Sequence, residues 1–378
     1  MFKRNNHGYF AAIVLAVFLL SLLAVYASSA QAKEMKLSAR SATLYQPDTN
    51  TFLYSKNADA RLHMASTTKI MTALVTLEQA RELDEVIEID PRAVGTEGSS
   101  AYLKEGDKVT VRELLYALML QSANDAAVAL ACYIGGSIES FAALMNERAA
   151  ALGLENTHFD NPHGLDSKEH YTTARDLALI TAEAMRHEQF TEICSTYRKT
   201  LTTGERTRTY TNHNKLLRSY DGAVGVKTGF TDESGRCLVG AAERDGLKFI
   251  TVTLDAPSDW ADHKALFDYG FERLECISLA SVYEYSYDVT LLDKIPKTVR
   301  VSNTSELYKV LEKGDHTVKE YVHLPRFISK KVKIGEKLGY VEFMLDGEMA
   351  GRVDLIATEE AIPEKEAFKD KIIRWLFG

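Results

Sequence analysis

The sequence has little of the residues that mark several special classes of protein. Only four of its 378 residues are cysteine, which is too few for a disulfide-dense scaffold. Seven prolines and 22 glycines are too few for a collagen-like or low-complexity chain. Positive charge is not in excess, because 45 Lys and Arg residues stand against 53 Asp and Glu residues. Since phosphate binding needs a basic face, this balance argues against nucleic acid as a partner.

Two common hydrolase signatures are also missing. The chain has no G-x-S-x-G, the nucleophile turn of α/β-hydrolases, and no H-E-x-x-H, the zinc-binding pair of many metalloproteases. His158, His163 and His170 lie close together in the sequence, but without a recognised zinc-ligand spacing. We therefore predict no metal site.

The first 32 residues have the layout of a secretory signal peptide. Lys3 and Arg4 are followed by an apolar run over residues 10–27, and then by small residues at Ala30 and Ala32. The alternative is an uncleaved transmembrane anchor, because a run of about 18 apolar residues is just long enough to span a bilayer. The small residues favour cleavage, so we expect residues 1–32 to be removed and the protein to work outside the cytoplasm, at the outer face of the cytoplasmic membrane and the cell wall.

Residues 33–273 read as helices followed by an antiparallel meander. A polar turn within residues 36–54 predicts a hairpin, and a broad apolar wheel over residues 66–83 predicts a buried helix. Thr110 and Glu113 form a capping box that opens another helix. Strand-like runs then follow at residues 224–228, 237–242 and 248–254. This order of elements predicts an α+β domain, with helices packed on a mostly antiparallel sheet.

Residues 274–362 read as a separate all-β domain. Short alternating runs separated by turns predict six strands, at residues 282–292, 298–301, 318–322, 331–333, 339–345 and 351–357.

The tail at residues 363–378 has a different pattern, because the apolar residues Phe368, Ile372, Trp375 and Leu376 recur at helical spacing beside cations. A basic amphipathic helix of this kind suits a membrane interface, so we predict peripheral membrane contact. The alternatives are a helix packed on the β domain or a frayed end.

Three short motifs occur in order inside the first domain. Ser66 and Lys69 form S-x-x-K at the start of the buried helix, Ser122 and Asn124 form S-x-N between two helices, and residues 227–229 form K-T-G on a strand. Each motif alone has an ordinary explanation, as a helix cap or a solvated strand residue. Their conjunction in these structural contexts favours a catalytic site.

The spacing of the first motif has a chemical reason. A serine three residues before a lysine on a helix shares one face with it, so the lysine can take the serine proton if it is neutral. Burial and a second cation both lower a lysine pKa, and Lys227 is the candidate second cation. The helix start at Ser66 offers free backbone N–H groups to an oxyanion. On the strand, Gly229 allows close approach of a substrate backbone.

Together the motifs resemble those of the penicillin-interacting serine enzymes, which include β-lactamases and penicillin-binding proteins. The flanking segments ASTTKIMTA, NPHGLD, TARD and GVKTGFT are similar to those of the low-molecular-mass serine D-alanyl-D-alanine carboxypeptidases. This resemblance implies a β-lactamase/transpeptidase-like catalytic domain, with an antiparallel sheet between helices, followed by a small all-β domain. It also implies peptidoglycan stem peptides as substrates, β-lactam antibiotics as inhibitors and no cofactor.

The resemblance also implies a role for each motif residue. Ser66 would attack the peptide bond between two D-alanines, with Lys69 as general base and Ser122 as proton relay to the departing D-alanine. Asn124 would hydrogen-bond the substrate amide. The terminal carboxylate would be held by Lys227 and Thr228, with Gly229 as the opposite wall. The backbone N–H groups of Ser66 and Phe230 would form the oxyanion hole.

Three alternatives use the same residues differently. A D,D-endopeptidase would cleave cross-links with the same nucleophile, and a β-lactamase would need a carboxylate to activate the deacylating water. Glu155 and Asn156 lie in the right region for that carboxylate, but an E-x-x-L-N pattern is missing. A catalytically idle peptidoglycan-binding protein is disfavoured by the intact motifs.

The four cysteines are considered separately. Cys132 and Cys237 are predicted to be buried thiols, while the environments of Cys194 and Cys276 are less determined. The sequence does not decide whether any pair forms a disulfide.

Overall fold

The computed structural model describes residues 35–203, 206–293 and 296–363. The expected signal peptide and nearly all of the expected membrane tail lie outside these residues. The chain divides into two units after Ser38, and every element below belongs to the second unit.

The first domain is built around a five-stranded antiparallel sheet. Its strands, in chain order, are β1 (Ser41–Gln46), β2 (Thr51–Lys56), β7 (Ala223–Thr231), β8 (Gly235–Arg244) and β9 (Leu247–Leu254). They are ordered β2-β1-β9-β8-β7, so the N-terminal hairpin pairs with the last strand of the meander. Asp245 and Gly246 both have positive φ, as the tight turn between β8 and β9 requires.

Helices cover both faces of this sheet, as the family resemblance implies. They are α1 (Lys69–Gln79), α2 (Val111–Leu120), α3 (Asn124–Gly135), α4 (Ile138–Ala151), α5 (Ala174–Ala184), α6 (Glu188–Ser195), α7 (Leu216–Ser219) and α8 (Asp259–Arg273). α1 to α6 share one apolar core with the inner face of the sheet. α8 lies on the other face, where Gly270 allows the helix to approach the Phe249 ring closely.

The helix starts follow their sequence signals. The predicted capping box is present, because Thr110 and Glu113 bond reciprocally at the start of α2. Thr173 caps α5 through the Asp176 N–H. α1 is buried without interruption from Lys69 to Thr76, which agrees with its broad apolar wheel. This burial takes the lysine of the S-x-x-K motif into the protein interior.

Two strand pairs flank the helical region. β3 (Val86–Glu88) pairs with β4 (Lys108–Thr110), and β5 (Arg198–Thr203) pairs with β6 (Arg206–Thr211). The second hairpin has no counterpart among the predicted strands. Its strands, RKTLTT and RTRTYT, are rich in Thr, Arg and Lys and contain only one apolar or aromatic residue each, so the usual alternation of polar with apolar residues is weak.

The C-terminal region is an all-β domain, as predicted, although its strands differ in detail. They are β10 (Leu274–Ala280), β11 (Ser286–Leu291), β12 (Lys297–Asn303), β13 (Leu307–Glu312), β14 (Val318–His323), β15 (Phe327–Ile328), β16 (Lys337–Leu345) and β17 (Glu348–Ala357). Six of them form one sheet, and β10 pairs with β13. The strand predicted at residues 331–333 is wrong, because only Val332 makes a single bridge, to Ala361.

All four cysteines are free thiols, and Cys132, Cys194 and Cys237 are buried. The prediction of buried thiols at Cys132 and Cys237 is therefore confirmed. Among the described residues, no single helix has the length and apolar composition to cross a bilayer. α3 and α4 meet that test only as a pair, and they are bent by 82° at the break between them.

The protonation of His263 on α8 makes the stability of the fold depend on pH. Its ring lies 2.6 Å from Thr251 Oγ1 and 3.0 Å from Thr253 Oγ1, and it is fully buried. Burial lowers its pKa to about 3. A group with a lowered folded-state pKa stabilises the fold above its unfolded value near 6.5, and this stability is lost as the pH falls towards 3.

We expect the free energy of unfolding to fall with decreasing pH more gently in His263→Gln than in the unmodified protein. Between pH 6 and pH 4 the difference in slope should approach about 1.4 kcal/mol per pH unit. Urea denaturation at four pH values measures it. His316→Gln is the matched control, because hydrogen bonding to Asp346 raises the pKa of His316, so its loss cannot make the slope gentler. Parallel slopes for His263→Gln and the unmodified protein would contradict the assignment.

Candidate active site

Ser66 lies on a short 3₁₀ turn, Ala65–Thr68, that runs directly into α1. Because Lys69 follows three residues later, its side chain lies over the same face. Lys69 Nζ is 2.9 Å from Ser66 Oγ. The candidate nucleophile and the candidate base are therefore in hydrogen-bond contact.

The ammonium position of Lys69 is enclosed by three oxygens. Besides Ser66 Oγ, Nζ lies 2.7 Å from Asn124 Oδ1 and 2.5 Å from the His163 carbonyl oxygen. These last two atoms can only accept, whereas a hydroxyl both donates and accepts. A neutral amine can thus donate its two N–H groups to Asn124 and His163, and accept the Ser66 proton on its lone pair.

The electrostatics favour that neutral amine. Lys69 has no exposed surface, and this burial lowers its pKa well below the usual range. The nearby charge of Lys227 lowers the pKa further, while Asp125 opposes the shift. The pair of lysines named from the sequence is thus close enough to interact.

The S-x-N motif forms the break between α2 and α3. Ser122 has a φ of 60°, a left-handed conformation that is rare outside glycine, and it is 5% exposed. Asn124 begins α3 and donates from Nδ2 to the Glu97 carbonyl oxygen at 2.6 Å, which orients its Oδ1 towards Lys69. Within the described parts of the chain, the Ser122 hydroxyl makes no hydrogen bond, so it does not bond to Lys69 here.

The K-T-G motif lies on β7 at the edge of the sheet. Lys227 is 1% exposed, its Nζ donates to the Thr228 carbonyl oxygen at 2.8 Å, and burial lowers its pKa to about 7. A Cβ on Gly229 would lie 2.9 Å from Ser66 N, so only glycine lets the strand run this close to the serine turn. Phe230 is 63% exposed, which leaves its side chain outside the core.

The loop over residues 161–166 closes the site from the side opposite β7. A Cβ on Gly164 would overlap the Ala65 carbonyl oxygen, so this position also needs glycine. Asn161 Oδ1 accepts from the Gly164 N–H at 2.7 Å, and Thr72 Oγ1 donates to the Pro162 carbonyl oxygen at 2.6 Å. These contacts hold the His163 carbonyl against Lys69.

Two groups at the site, the His163 carbonyl and the Asp125 carboxylate, were not identified from the sequence. The His163 carbonyl has no side-chain signature, because any residue can present a backbone oxygen. Asp125 is buried and accepts hydrogen bonds from Ser100 Oγ at 2.6 Å and from the Ala101 and Leu103 N–H groups at 2.9 and 3.0 Å. It thereby ties the loop before β4 to the Ser122 turn. Its position directly after S-x-N was the available signal.

The three histidines singled out in the sequence make separate contacts. His158 Nδ1 lies 2.7 Å from the Glu169 carbonyl oxygen, His163 Nδ1 accepts from the Leu165 N–H, and His170 Nδ1 accepts from the Asp160 N–H. Among the described residues, His63, Asp166 and Glu233 form the group of potential ligands that could hold a metal. His63 Nε2 and Glu233 Oε2 are 3.8 Å apart, which is wider than the spacing of about 3.3 Å between ligands on a tetrahedral zinc.

Glu155, the carboxylate considered for a β-lactamase reaction, makes its contacts away from Ser66 and Lys69. Glu155 is exposed, and its carbonyl and the Asn156 side chain accept hydrogen bonds from Arg61. In the described residues, no carboxylate makes a hydrogen bond to Ser66 or Lys69.

Comparison with known families agrees with this geometry. A family model described as D-alanyl-D-alanine carboxypeptidase matches residues 27–258. A second, described as the C-terminal domain of penicillin-binding protein 5, matches residues 281–362. The D-alanyl-D-alanine carboxypeptidase DacF of Bacillus subtilis (strain 168) is 32% identical over 356 residues, covering 90% of this chain and 92% of that protein. DacC of Escherichia coli (strain K12) is 32% identical over 88% of this chain and 87% of its own.

Solved structures show the same similarity. The Streptomyces K15 DD-transpeptidase superposes with a TM-score of 0.61 at 41% identity, covering 63% of this chain and 99% of that chain. The D-alanyl-D-alanine carboxypeptidase DacD from Francisella tularensis covers 89% of this chain and 96% of its own, with a TM-score of 0.60 at 28% identity.

Proposed function

The chain belongs to the D-alanyl-D-alanine carboxypeptidase family, peptidase S11, and on that premise we propose which residue performs each step of its reaction. It is a serine D,D-carboxypeptidase of a family that acts on peptidoglycan peptides and binds β-lactams. The observation that carries the assignment is the 2.9 Å contact between Ser66 Oγ and a fully buried Lys69 Nζ.

Acylation begins with proton transfer from Ser66 to Lys69. As Ser66 Oγ bonds to the carbonyl carbon between the two D-alanines, its proton moves to the Lys69 lone pair. The resulting ammonium is stabilised by Asn124 Oδ1 and the His163 carbonyl, which already accept hydrogen bonds from it. The C–N bond then breaks, and the leaving amine of D-alanine takes up a proton. We assign this delivery to the Ser122 hydroxyl, which gives its own proton to the amine and takes up the proton of the Lys69 ammonium, so that both residues regain their starting protonation states.

The negative charge of the tetrahedral intermediate needs donors already in place. The Ser66 N–H lies in the first turn of its helix, where backbone donors have no intrahelical acceptor. We assign the second donor to the Phe230 N–H, one residue beyond the close approach of Gly229 to Ser66. Only a backbone group is used at Phe230, so its exposed side chain is compatible with the role.

The substrate is oriented by its terminal carboxylate and its upstream amide. We assign the carboxylate to Lys227 and the Thr228 hydroxyl, beside the opposite wall formed by Gly229. Asn124 Nδ2 uses one N–H on the Glu97 carbonyl, which leaves the second N–H for a substrate carbonyl. The peptide would then run along β7 from Lys227 towards Phe230.

The acyl-enzyme can be released by water or by an amine. Attack by water gives the trimmed stem peptide, which is the carboxypeptidase reaction. A relative from Pseudomonas aeruginosa named D-alanyl-D-alanine endopeptidase is 32% identical over 59% of this chain. The same nucleophile would serve on a cross-linked substrate, so product analysis must include one.

We further propose that residues 1–32 direct export and that residues 363–378 bind the membrane surface. The support is the signal-peptide layout at the N-terminus and the alternation of apolar and basic residues around Trp375. Together they would place the catalytic domain at the outer face of the cytoplasmic membrane, beside its wall substrate.

The Ser66→Ala variant tests the nucleophile. Release of D-alanine from a synthetic peptide ending in Lys-D-Ala-D-Ala should fall to less than about one thousandth of the parent rate. Ser329→Ala, which removes an exposed hydroxyl in the β domain, is the matched control and should keep full activity. Equal release by Ser66→Ala and the parent would exclude the mechanism. Covalent labelling by a fluorescent penicillin without release would point to a cross-linked substrate.

The pH dependence of KM tests Lys227. Because the pKa of Lys227 is lowered to about 7, the free enzyme loses this cation above neutral pH. KM for a substrate with a terminal carboxylate should therefore rise between pH 7 and pH 9, by up to about tenfold per pH unit. A depsipeptide with its terminal carboxyl amidated is the control, and its KM should stay flat. A parallel rise for both substrates would show that Lys227 does not bind the carboxylate.

Vesicle binding tests the tail. Sedimentation of the mature protein with vesicles rich in anionic lipid should be reversed by salt, and should be lost in Trp375→Ser/Leu376→Ser. Phe327→Ser, which removes a 57%-exposed aromatic residue from the β domain, is the matched control and should still sediment. Loss of binding in the control alone would assign membrane contact to the β domain instead.

A further inference from the structure

The residue before the nucleophile is held in an unusual backbone conformation. Ala65 has a φ of 47°, in the left-handed region that costs a non-glycine residue about 1 kcal/mol. Such conformations persist where the surrounding structure determines them, and they concentrate at functional sites. Ala65 and Ser66 share a peptide bond, so the conformation of Ala65 decides where the Ser66 N–H points.

The Ala65 carbonyl is held by a side chain one turn later. Thr68 Oγ1 lies 2.8 Å from the Ala65 carbonyl oxygen and donates to it. Gly164 packs directly against that oxygen, with no space for a Cβ. In a planar trans peptide the C=O and the following N–H point in opposite directions. Thr68 and Gly164 therefore hold the carbonyl on one side and direct the Ser66 N–H to the other, towards β7.

The direction of the Thr68 hydroxyl is set in turn by His170. The two side chains are in contact, with 2.8 Å between Thr68 Oγ1 and His170 Nε2. The Asp160 N–H donates to His170 Nδ1 at 3.0 Å, so Nδ1 carries no proton and the neutral ring carries its proton on Nε2. Nε2–H must then donate to Thr68, which leaves the Thr68 proton for Ala65. Each hydrogen bond in the series from Asp160 to the Ala65 carbonyl therefore has only one possible donor.

We propose that His170 is a positioning residue for the oxyanion hole, acting through Thr68 and the Ala65 carbonyl on the Ser66 N–H. His170 touches neither Ser66 nor Lys69 in this network, and it is 1% exposed, so it does not act on the substrate directly. The proposal rests on the proposed function, because it assumes that the Ser66 N–H stabilises the tetrahedral intermediate.

The protonation state of His170 agrees with this assignment. Burial lowers its pKa to about 4, and this effect outweighs the raising effect of Asp160. The ring is therefore neutral at neutral pH, as the hydrogen bond from Asp160 requires. His63 Nδ1 also lies 3.1 Å from the His170 carbonyl oxygen, so the same residue steadies the segment just before Ser66.

The test compares Thr68→Val, which has the same shape without the hydroxyl, with Thr68→Ser, which keeps the hydroxyl. For an acyl-D-alanyl-D-lactate ester, kcat should fall at least about tenfold in Thr68→Val with little change in KM, because the lost interaction acts in the transition state. Thr68→Ser should retain most of the parent rate. Thermal unfolding of each variant identifies a protein that has simply failed to fold.

Replacing the reacting carbonyl oxygen by sulfur separates a misdirected donor from a general loss of structure. Sulfur accepts hydrogen bonds poorly, so the parent should hydrolyse the thionoester much more slowly than the ester. The ester-to-thionoester rate ratio should shrink in Thr68→Val, and also in His170→Gln, which serves as the second variant if the first does not fold. An unchanged ratio in both variants would overturn the proposal. If the parent protein hydrolyses neither substrate, the proposed function fails instead.

Discussion

The structure depends on one costly feature, a fully buried lysine amine held against a serine hydroxyl. Burying an ammonium costs several kcal/mol unless it is neutralised or paired, and within the described parts of the chain no carboxylate bonds to Lys69. The site resolves this cost chemically, because the neutral amine is the form that can accept the Ser66 proton. The same burial that would destabilise an ordinary lysine thus lowers the pKa of Lys69, which suits the role of base proposed for it. The acceptors at Asn124 and His163 keep either protonation state satisfied.

The rest of the catalytic domain brings separate segments to that amine. The turn before α1, the break between α2 and α3, the loop over residues 161–166 and β7 each contribute one wall. Glycines at positions 164 and 229 make the closest approaches, because a side chain at either position would collide with the serine turn. β7 is an edge strand of the sheet, so its outer side is available to a peptide laid along it. A second buried lysine on that strand, Lys227, lowers the pKa of the first, and we propose that it binds the substrate carboxylate.

The strained turn at Ala65 shows how distant residues enter the chemistry. Its carbonyl is fixed by a threonine of the S-x-x-K motif, and that threonine is fixed by a buried histidine from another part of the chain. This histidine, His170, is one of the three histidines that lie close together in the sequence and were considered as zinc ligands. In the structure its Nδ1 lone pair accepts a hydrogen bond and its Nε2–H donates one, and these two bonds order the turn around Ser66 instead of binding a metal.

The sequence alone determined the elements whose patterns are local. The capping box at Thr110, the buried wheel of α1 and the three motifs could all be recognised, because each depends on residues close together in the chain. The all-β character of the last domain could be predicted too, but not its individual strands. The β5–β6 hairpin was missed because its Thr- and Arg-rich strands bury little apolar surface.

Only the tertiary structure decided what surrounds the reacting atoms. The His163 carbonyl, the Asp125 acceptor, the left-handed Ala65 and the direction of the Thr68 hydroxyl are set by segments far apart in sequence. Backbone oxygens and backbone angles leave no side-chain signature, and the pKa of a lysine depends on burial that exists only after folding. Sequence could therefore propose Ser66 as the nucleophile and Lys69 as the base, whereas packing determines why the pKa of Lys69 is lowered and where the Ser66 N–H points.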